Sequence, residues 1–440
     1  MLLFKDISGK KVEVDFDGGE ITSDVGILFL RETEEHIGII NRIAAVIHDK
    51  RHPGYVEHEV LPLLKQRVFQ IASGYEDCND SDDLRNDSIM KISCEKLPLS
   101  GSPLASQPTM SRFENSLSRT VLYRIACAFI DDFIDSYKTP PDGIILDIDD
   151  TDDPTHGAQQ MRLFNGYHNT YCYMPIHIYE GKSGKLITTI LRPGKRPNGK
   201  EIVTILKRIV KRIRAAWPDA GIILRGDSHY NSPDVHDFCE KYSIKFALGQ
   251  TANSVLYNKA NNIIKRAKEQ YAFRKKPVKY YDEFEYKAAS WSAPRRVIVK
   301  AEHNEKGANS RFIVTNLTNN NRRFIYRTVY CGRGAMELYI KEHKNHLASG
   351  RTSCSRFAAN QFRLFLHSAA YVLLHTFRNK YLNGTELAHA QFDTIRLKLI
   401  KIGARVRELK TRIKIHLPSS FPLKELFFQI WRPCRATGYT

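Results

Sequence analysis

Tyr330, Arg333, Glu337 and Lys344 stand in the stretch YCGRGAMELYIKEHK at the spacing Y-x2-R-x3-E-x6-K. Steps of three, four and seven residues return to one face of an α-helix, so the three charged side chains share a face and Tyr330 marks the helix start. Glycines at 332 and 334 let the backbone turn into that helix and approach another group closely. A carboxylate between two cations suits a site that holds a metal and a phosphate. Arg333 and Lys344 can grip phosphate oxygens while Glu337 ligates a hard cation. The same pattern also describes an amphipathic helix whose charges face water.

Two more acids offer themselves as partners of Glu337. Asp149 lies in ILDIDDTDD and Asp227 in ILRGDSHY, each at the end of an apolar run that reads as a buried strand. Strand ends put carboxylates at the rim of a sheet, where open α/β folds keep their sites. Three carboxylates without Cys or paired His suit Mg²⁺, with Mn²⁺ as substitute. Two such ions, about 3.5–4 Å apart, can activate water or a 3′-hydroxyl for in-line phosphoryl displacement. Asp147, Asp150, Asp152 and Asp153 crowd the first strand end, and most acids there must form turns or caps. Asp149 and Asp150 stay nearly tied as first ligand. Asp149 is favoured because its D-x-T arrangement with Thr151 recurs in folds that cut nucleic acid. Asp227 alone reads more readily as a turn acid; His156 and His229, near these acids, could shuttle protons or touch phosphate but read more readily as solvated or structural histidines. Trp291, beside Arg295 and Arg296, is either a stacking platform for an unpaired base with the arginines on the backbone, or a core residue.

The chain that must position these residues has 440 residues, enough for two to four domains. Its formal net charge of +19 points to a polyanionic partner, and nucleic acid is the usual one. The charge is uneven: residues 1–100 hold 12 Lys/Arg against 19 Asp/Glu, whereas residues 341–440 hold 18 against 5. No apolar run approaches the roughly 20 residues of a membrane span, and the first residues carry charges too early for a signal peptide. Eight scattered cysteines without a C-x2-C pair argue against a zinc knuckle and a disulfide framework. A reducing cytoplasm is the expected compartment.

Residues 1–138 read as a short hairpin and then several helices joined by turns, a region compatible with a helix-turn-helix DNA reader. YKTPPDG forms the linker. Residues 139–250 read as β–β–β–α–β–α–β, with EIVTILKRIVKRIRAAW as an amphipathic basic helix. From 251 to 329 aromatic and basic residues interleave, which reads as an antiparallel β insertion. Residues 330–350 return with the glutamate helix. Residues 351–440 form a mainly helical basic region opened by the helix RFAANQFRLFLHSAAYVLLHTFRNKY, and the last residues are expected to fray.

These residues resemble the DDE transposases of bacterial insertion sequences, most closely the family numbered thirteen-eighty, related to the larger group with a Y-R-E-K signature. The resemblance covers most of the chain, through HEVLPLLKQRVFQIASGYEDCNDSDDLRND, LASQPTMSRFEN, LDIDDTDDPTHG, LRGDSHY, SWSAPRRVIVK and YCGRGAMELYIKEHK. It implies an α/β, RNase H-like core whose metal ligands are Asp149, Asp227 and Glu337. It also implies contact of Tyr330, Arg333 and Lys344 with phosphates of the element's ends, and a base-stacking role for Trp291. The implied activity is metal-dependent strand cleavage and strand transfer at terminal inverted repeats, using two Mg²⁺ ions. The implied partners are double-stranded DNA and a second copy of the chain, with no membrane, in the bacterial cytoplasm at the nucleoid. The competing readings are an inactive transposase-derived DNA-binding protein and a metal-dependent structure-specific endonuclease.

Overall fold

The computed structural model describes residues 1–319 and 321–435, so the expected fraying of the last residues lies outside the described residues. The chain forms two units: residues 129–341, and residues 1–128 together with 342–440.

The first unit is built on an eight-stranded sheet. The elements of this sheet and the main helices beside it, in chain order, are β1 (Gly143–Asp150), β2 (Ile176–Glu180), β3 (Leu186–Ile190), α1 (Gly199–Ala216), β4 (Gly221–Gly226), α2 (Pro233–Lys241), β5 (Lys245–Gln250), α3 (Asn261–Arg274), β6 (Val278–Tyr286), β7 (Arg295–Asn304), β8 (Gly307–Thr315) and α4 (Ala335–Lys341). The strand order is β6-β7-β8-β5-β4-β1-β2-β3. β4 runs parallel to both β1 and β5, and every other neighbouring pair is antiparallel.

Strand alternation decides which side chains meet which layer. Ile144, Leu146 and Ile148 of β1 and Ile222 and Leu224 of β4 join one core with Ile202, Leu206, Ile209 and Ile213 of α1 and Val235 of α2. The intervening residues Asp147, Asp149 and Arg225 therefore project to the opposite face. There the chain from Ile325 onwards covers the sheet: Arg225 donates to the Val329 carbonyl at 2.7 Å, and Tyr339 lies 5.5 Å from Tyr179 of β2. α1 starts where the Asn198 side chain accepts from the Glu201 N–H, and its apolar residues recur at helical spacing.

The stretch expected to be wholly β is partly helical. Ser254–Lys259 and α3 precede the three strands. Ile263, Ile264, Ala267 and Tyr271 of α3 pack on the sheet, because their spacing fits one helical face. The Y-R-E-K stretch also departs from a regular helix. It begins earlier, at Arg322, and runs through a π turn (Ile325–Tyr330) and a 3₁₀ turn (Cys331–Gly334) into α4. Changes in residues per turn break the common face that uniform spacing implied.

The second unit gathers both ends of the chain. A 25-residue helix (Phe357–Tyr381) is buried along most of its length. Inside this unit the buried Arg67 donates to Glu114 at 2.8 Å, and Arg363 lies 3.8 Å from the same carboxylate. Among the described residues no helix is long and apolar enough to cross a membrane, and all eight cysteines are free thiols.

Candidate active site

The register of two parallel strands builds the site. β1 and β4 pair up to Asp147 with Arg225 and Ile148 with Gly226. One residue further, the chains carry Asp149 and Asp227 side by side at the strand ends. Behind them Asp147 and Arg225 form a buried fork, with Nε to Oδ1 and Nη2 to Oδ2 both at 2.5 Å. This pair fixes the base of the site, because a planar guanidinium on a carboxylate has one good geometry. Two glycines make room for it. A Cβ on Gly181 would stand 2.4 Å from Arg225 Nη2 and 2.6 Å from Asp147 Oδ2, and one on Gly332 would stand 2.7 Å from Arg225 Nη1. Gly332 thus provides the close approach that its position in the motif suggested.

Asp149 accepts a bond from Arg333 Nη2 at 2.8 Å, with both side chains largely buried. Burial, followed by the nearby charges of Asp227 and Asp150, pushes its carboxyl up to about 7 against the pull of Arg333. Asp227 turns back on its own chain, its Oδ1 accepting from the His229 N–H at 2.8 Å. His229 Nδ1 lies 3.2 Å from Asp150 Oδ1 and 4.0 Å from Asp227 Oδ2. The bond to Asp150 raises the imidazole pKa, as do the charges of Asp227 and Asp150, so His229 keeps its proton to higher pH than a free histidine. The Asp150 side chain is buried, and among the described residues its Oδ2 has no hydrogen-bond partner. The buried Tyr230 phenol is pushed up by burial and by Asp150, Asp149 and Asp227. Tyr330 rests its hydroxyl on the strand end of β5, 2.9 Å from where a Gly249 Cβ would be.

The structure thus brings together Asp149, Asp227, Arg333 and Tyr330, with Asp150 and His229 between them. Glu337 stands on α4 as an exposed side chain. Among the described residues no group of three or more His, Cys, Asp or Glu side chains is arranged to hold a metal ion. Lys344 belongs to the other unit. Trp291 is buried among core residues, 5.3 Å from Tyr286 and 5.0 Å from His236. Arg295 is also buried, with bonds to Glu240 at 2.7 Å and Asp237 at 3.0 Å. Arg296 pairs with Glu283 at 2.6 Å. In this arrangement Trp291 and Arg295 face the core. His156 is exposed in a loop.

Of the residues with consequences for the site, Arg225 is not among the candidates that the sequence offers, and His229 is offered without a place. Arg225 lies inside an apolar strand run, and its only cue was a cation where burial forbids one without a partner. His229 was visible but unplaced, since proximity to Asp150 depends on the β1–β4 register.

The profile of the family described as "Transposase DDE domain group 1" matches residues 4–437, nearly the whole chain. No curated protein matches the chain.

Proposed function

The chain belongs to the transposase family with a group 1 DDE domain, and on that premise we propose that it binds the terminal inverted repeats of an insertion sequence, cleaves at their ends and joins the freed 3′-hydroxyls to target DNA. The observation that carries this reading is the pair of acids at adjacent parallel strand ends. Asp149 lies beside Asp227 and is pushed up to about 7 by burial and its acidic neighbours. Strand order β3-β2-β1-β4-β5, with the first three antiparallel and the last two parallel to β1, supports an RNase H-like core.

The donors fit a hard divalent cation. They are carboxylate oxygens, one of them (Asp150 Oδ2) is buried without a hydrogen-bond partner among the described residues, and added positive charge would offset the burial and the acidic neighbours that raise Asp149. Asp149 and Asp227 would hold Mg²⁺ or Mn²⁺, with Glu337 as a third donor and two ions in the complete site. Bound there, such ions polarise the phosphoryl group and activate water or a 3′-hydroxyl. The chain's own residues do the rest. Arg225 holds the base of the site rigid through Asp147 and the Val329 carbonyl. Arg333 orients the Asp149 carboxylate and offers the remaining guanidinium edge to a phosphate. His229 holds a proton between Asp150 and Asp227, where a leaving oxygen can take it. Tyr330 and, in the other unit, Lys344 are the further phosphate-binding residues of the signature. Two protomers would bring two ends together.

A second reading is favoured by the exposed position of Glu337 and the absence, among the described residues, of a three-acid cluster. It is a transposase-derived protein that binds DNA without cutting it. Cleavage of labelled DNA carrying the element's ends, in Mg²⁺, by wild type and Asp227→Ala separates the two. End cleavage with strand transfer by wild type alone is the expected result. Tight binding without cutting in either Mg²⁺ or Mn²⁺ would leave the second reading.

A further inference from the structure

The extension β6–β8 has two covered faces and one open basin. One face packs on α3 through Tyr280, Val297, Val299 and Val314. The opposite face meets the segment from Ile325 through Tyr281, Ile298, Ile313 and Tyr326. The register continues this second face beyond its apolar part. Tyr281 pairs with Lys300, and Lys300 with Arg311; Lys279 pairs with Glu302. Cross-strand partners project to the same side, so three basic side chains and a tyrosine line one patch. Arg322, Arg323 and Arg327, all exposed, face the patch from the adjoining helical turns, and the basin they enclose measures about 810 Å³. Glu302 is shared between Lys279 at 3.2 Å and Lys300 at 2.7 Å, so one acid answers two of the cations and the basin stays strongly positive.

Aromatic rings connect this basin to the acids. Tyr281 lies 5.5 Å from Tyr326, and Tyr326 lies 5.7 Å from Tyr330, whose hydroxyl reaches the strand end next to Asp227. Tyr280, Tyr281 and Tyr326 line the basin among its cations, so bases as well as phosphates meet partners there. A duplex keeps its bases stacked inside and offers such a basin only its backbone, whereas an unpaired strand can set a base against a ring. Cations along a groove with an accessible tyrosine face are the chemistry that tracks an unpaired strand.

We propose that this basin is a binding site for a single-stranded segment of DNA, the stretch that leads away from the acids when an end is opened. The inference rests on the reading of the chain as a DNA-processing enzyme but not on its catalytic step. Phosphates pair with Lys279, Lys300, Arg323 and Arg327, and a base lies against Tyr281.

Cys331 supplies the test, because it lines the basin and is exposed, whereas the other seven thiols are buried or partly buried. The experiment measures alkylation of Cys331 by N-ethylmaleimide, read on its peptide by mass spectrometry, in the full-length Asp227→Ala protein with EDTA. The probes are a 12-nucleotide single strand and the duplex of the same sequence. The single strand is expected to slow Cys331 modification about tenfold at saturation, with little effect from the duplex. In parallel, replacing Lys279, Arg323 and Arg327 together by Ala should reduce the slope of log K against log salt for the single strand by about 2, at about 0.7 per lost phosphate contact. Equal protection by duplex, or none by either probe, would overturn the proposal, as would an unchanged salt slope in a folded triple variant. Cleavage of element ends is scored separately. Cutting without Cys331 protection sinks this inference and spares the transposase reading; protection without cutting does the reverse.

Discussion

Asp149→Asn should make the metal-free protein more stable relative to wild type as pH rises. The carboxyl titrates at 3.8 in a free chain and at about 7 in the fold. Between those values the native state holds a proton that the unfolded state has released, so stability falls as pH climbs through that window. Below pH 3.8 the group contributes nothing; above about 7 its full penalty applies. With roughly 1.4 kcal/mol per unit, the penalty is about 4 kcal/mol at pH 8 and about 2 kcal/mol at pH 5. Asn keeps the shape and an oxygen facing Arg333 but never ionises. The attraction of Arg333 for the ionised carboxylate is already contained in the value of about 7, so it adds no separate pH-dependent difference. The quantity to measure is therefore the variant-minus-wild-type unfolding free energy, from urea titrations in EDTA at pH 5 and pH 8. It should rise by about 2–3 kcal/mol between them. Parallel pH profiles for the two proteins would refute the reasoning, since they would mean that Asp149 is not held protonated by its surroundings. Millimolar Mg²⁺ at pH 8 should recover part of the deficit in wild type and none in the variant, because a ligand stabilises only the state that binds it.

Asp147→Ala strands the buried Arg225 guanidinium and should cost about 3–5 kcal/mol in urea unfolding, whereas joint replacement by apolar residues of similar volume should recover most of it. Gly181→Ala would place a methyl on that same ion pair and should lower the unfolding midpoint by the equivalent of about 1–3 kcal/mol; an unchanged midpoint would mean that the hairpin corner yields freely. Glu337→Ala, at an exposed helix position, should change stability by less than about 0.5 kcal/mol while abolishing end cleavage. Residual cutting at the wild-type rate would remove Glu337 from the site. In the other unit, Glu114→Ala leaves Arg67 and Arg363 facing each other without an acid and should cost about 3–5 kcal/mol by thermal or urea unfolding.

What could be read from the residues, and what could not, divides along a physical line. Strands such as GIILDIDD and GIILRG, and the helix on EIVTILKRIVKRIRAA, show in sequence because burial on one or both faces writes a period of its own. The placement of Asp149 and Asp227 at strand ends follows from those runs. Their adjacency does not: it depends on β4 pairing directly with β1 across 78 residues, a fact of topology that no local pattern encodes. Long-range order also decides the fate of Trp291 and Arg295. Their neighbours in sequence suggested a nucleic-acid surface, but Tyr286, His236, Asp237 and Glu240 come from elsewhere in the chain and enclose them. The union of residues 1–128 with 342–440 was equally invisible, because the charge contrast between the two ends suggested separate roles rather than a shared core. The Y-R-E-K stretch lies between these cases. Its spacing implies one helical face for Arg333, Glu337 and Lys344, yet π and 3₁₀ turns interrupt the helix: Arg327 and Cys331 line the basic basin, and Tyr330 and Arg333 lie at the acids. Arg225 anchors the turn before Tyr330 through the Val329 carbonyl, and Gly332 lets it approach. A methyl at position 332 would stand 2.7 Å from Arg225 Nη1, so Gly332→Ala should push that nitrogen off the Val329 carbonyl and lower the urea-unfolding midpoint, whereas an unchanged midpoint would mean that the turn yields without cost.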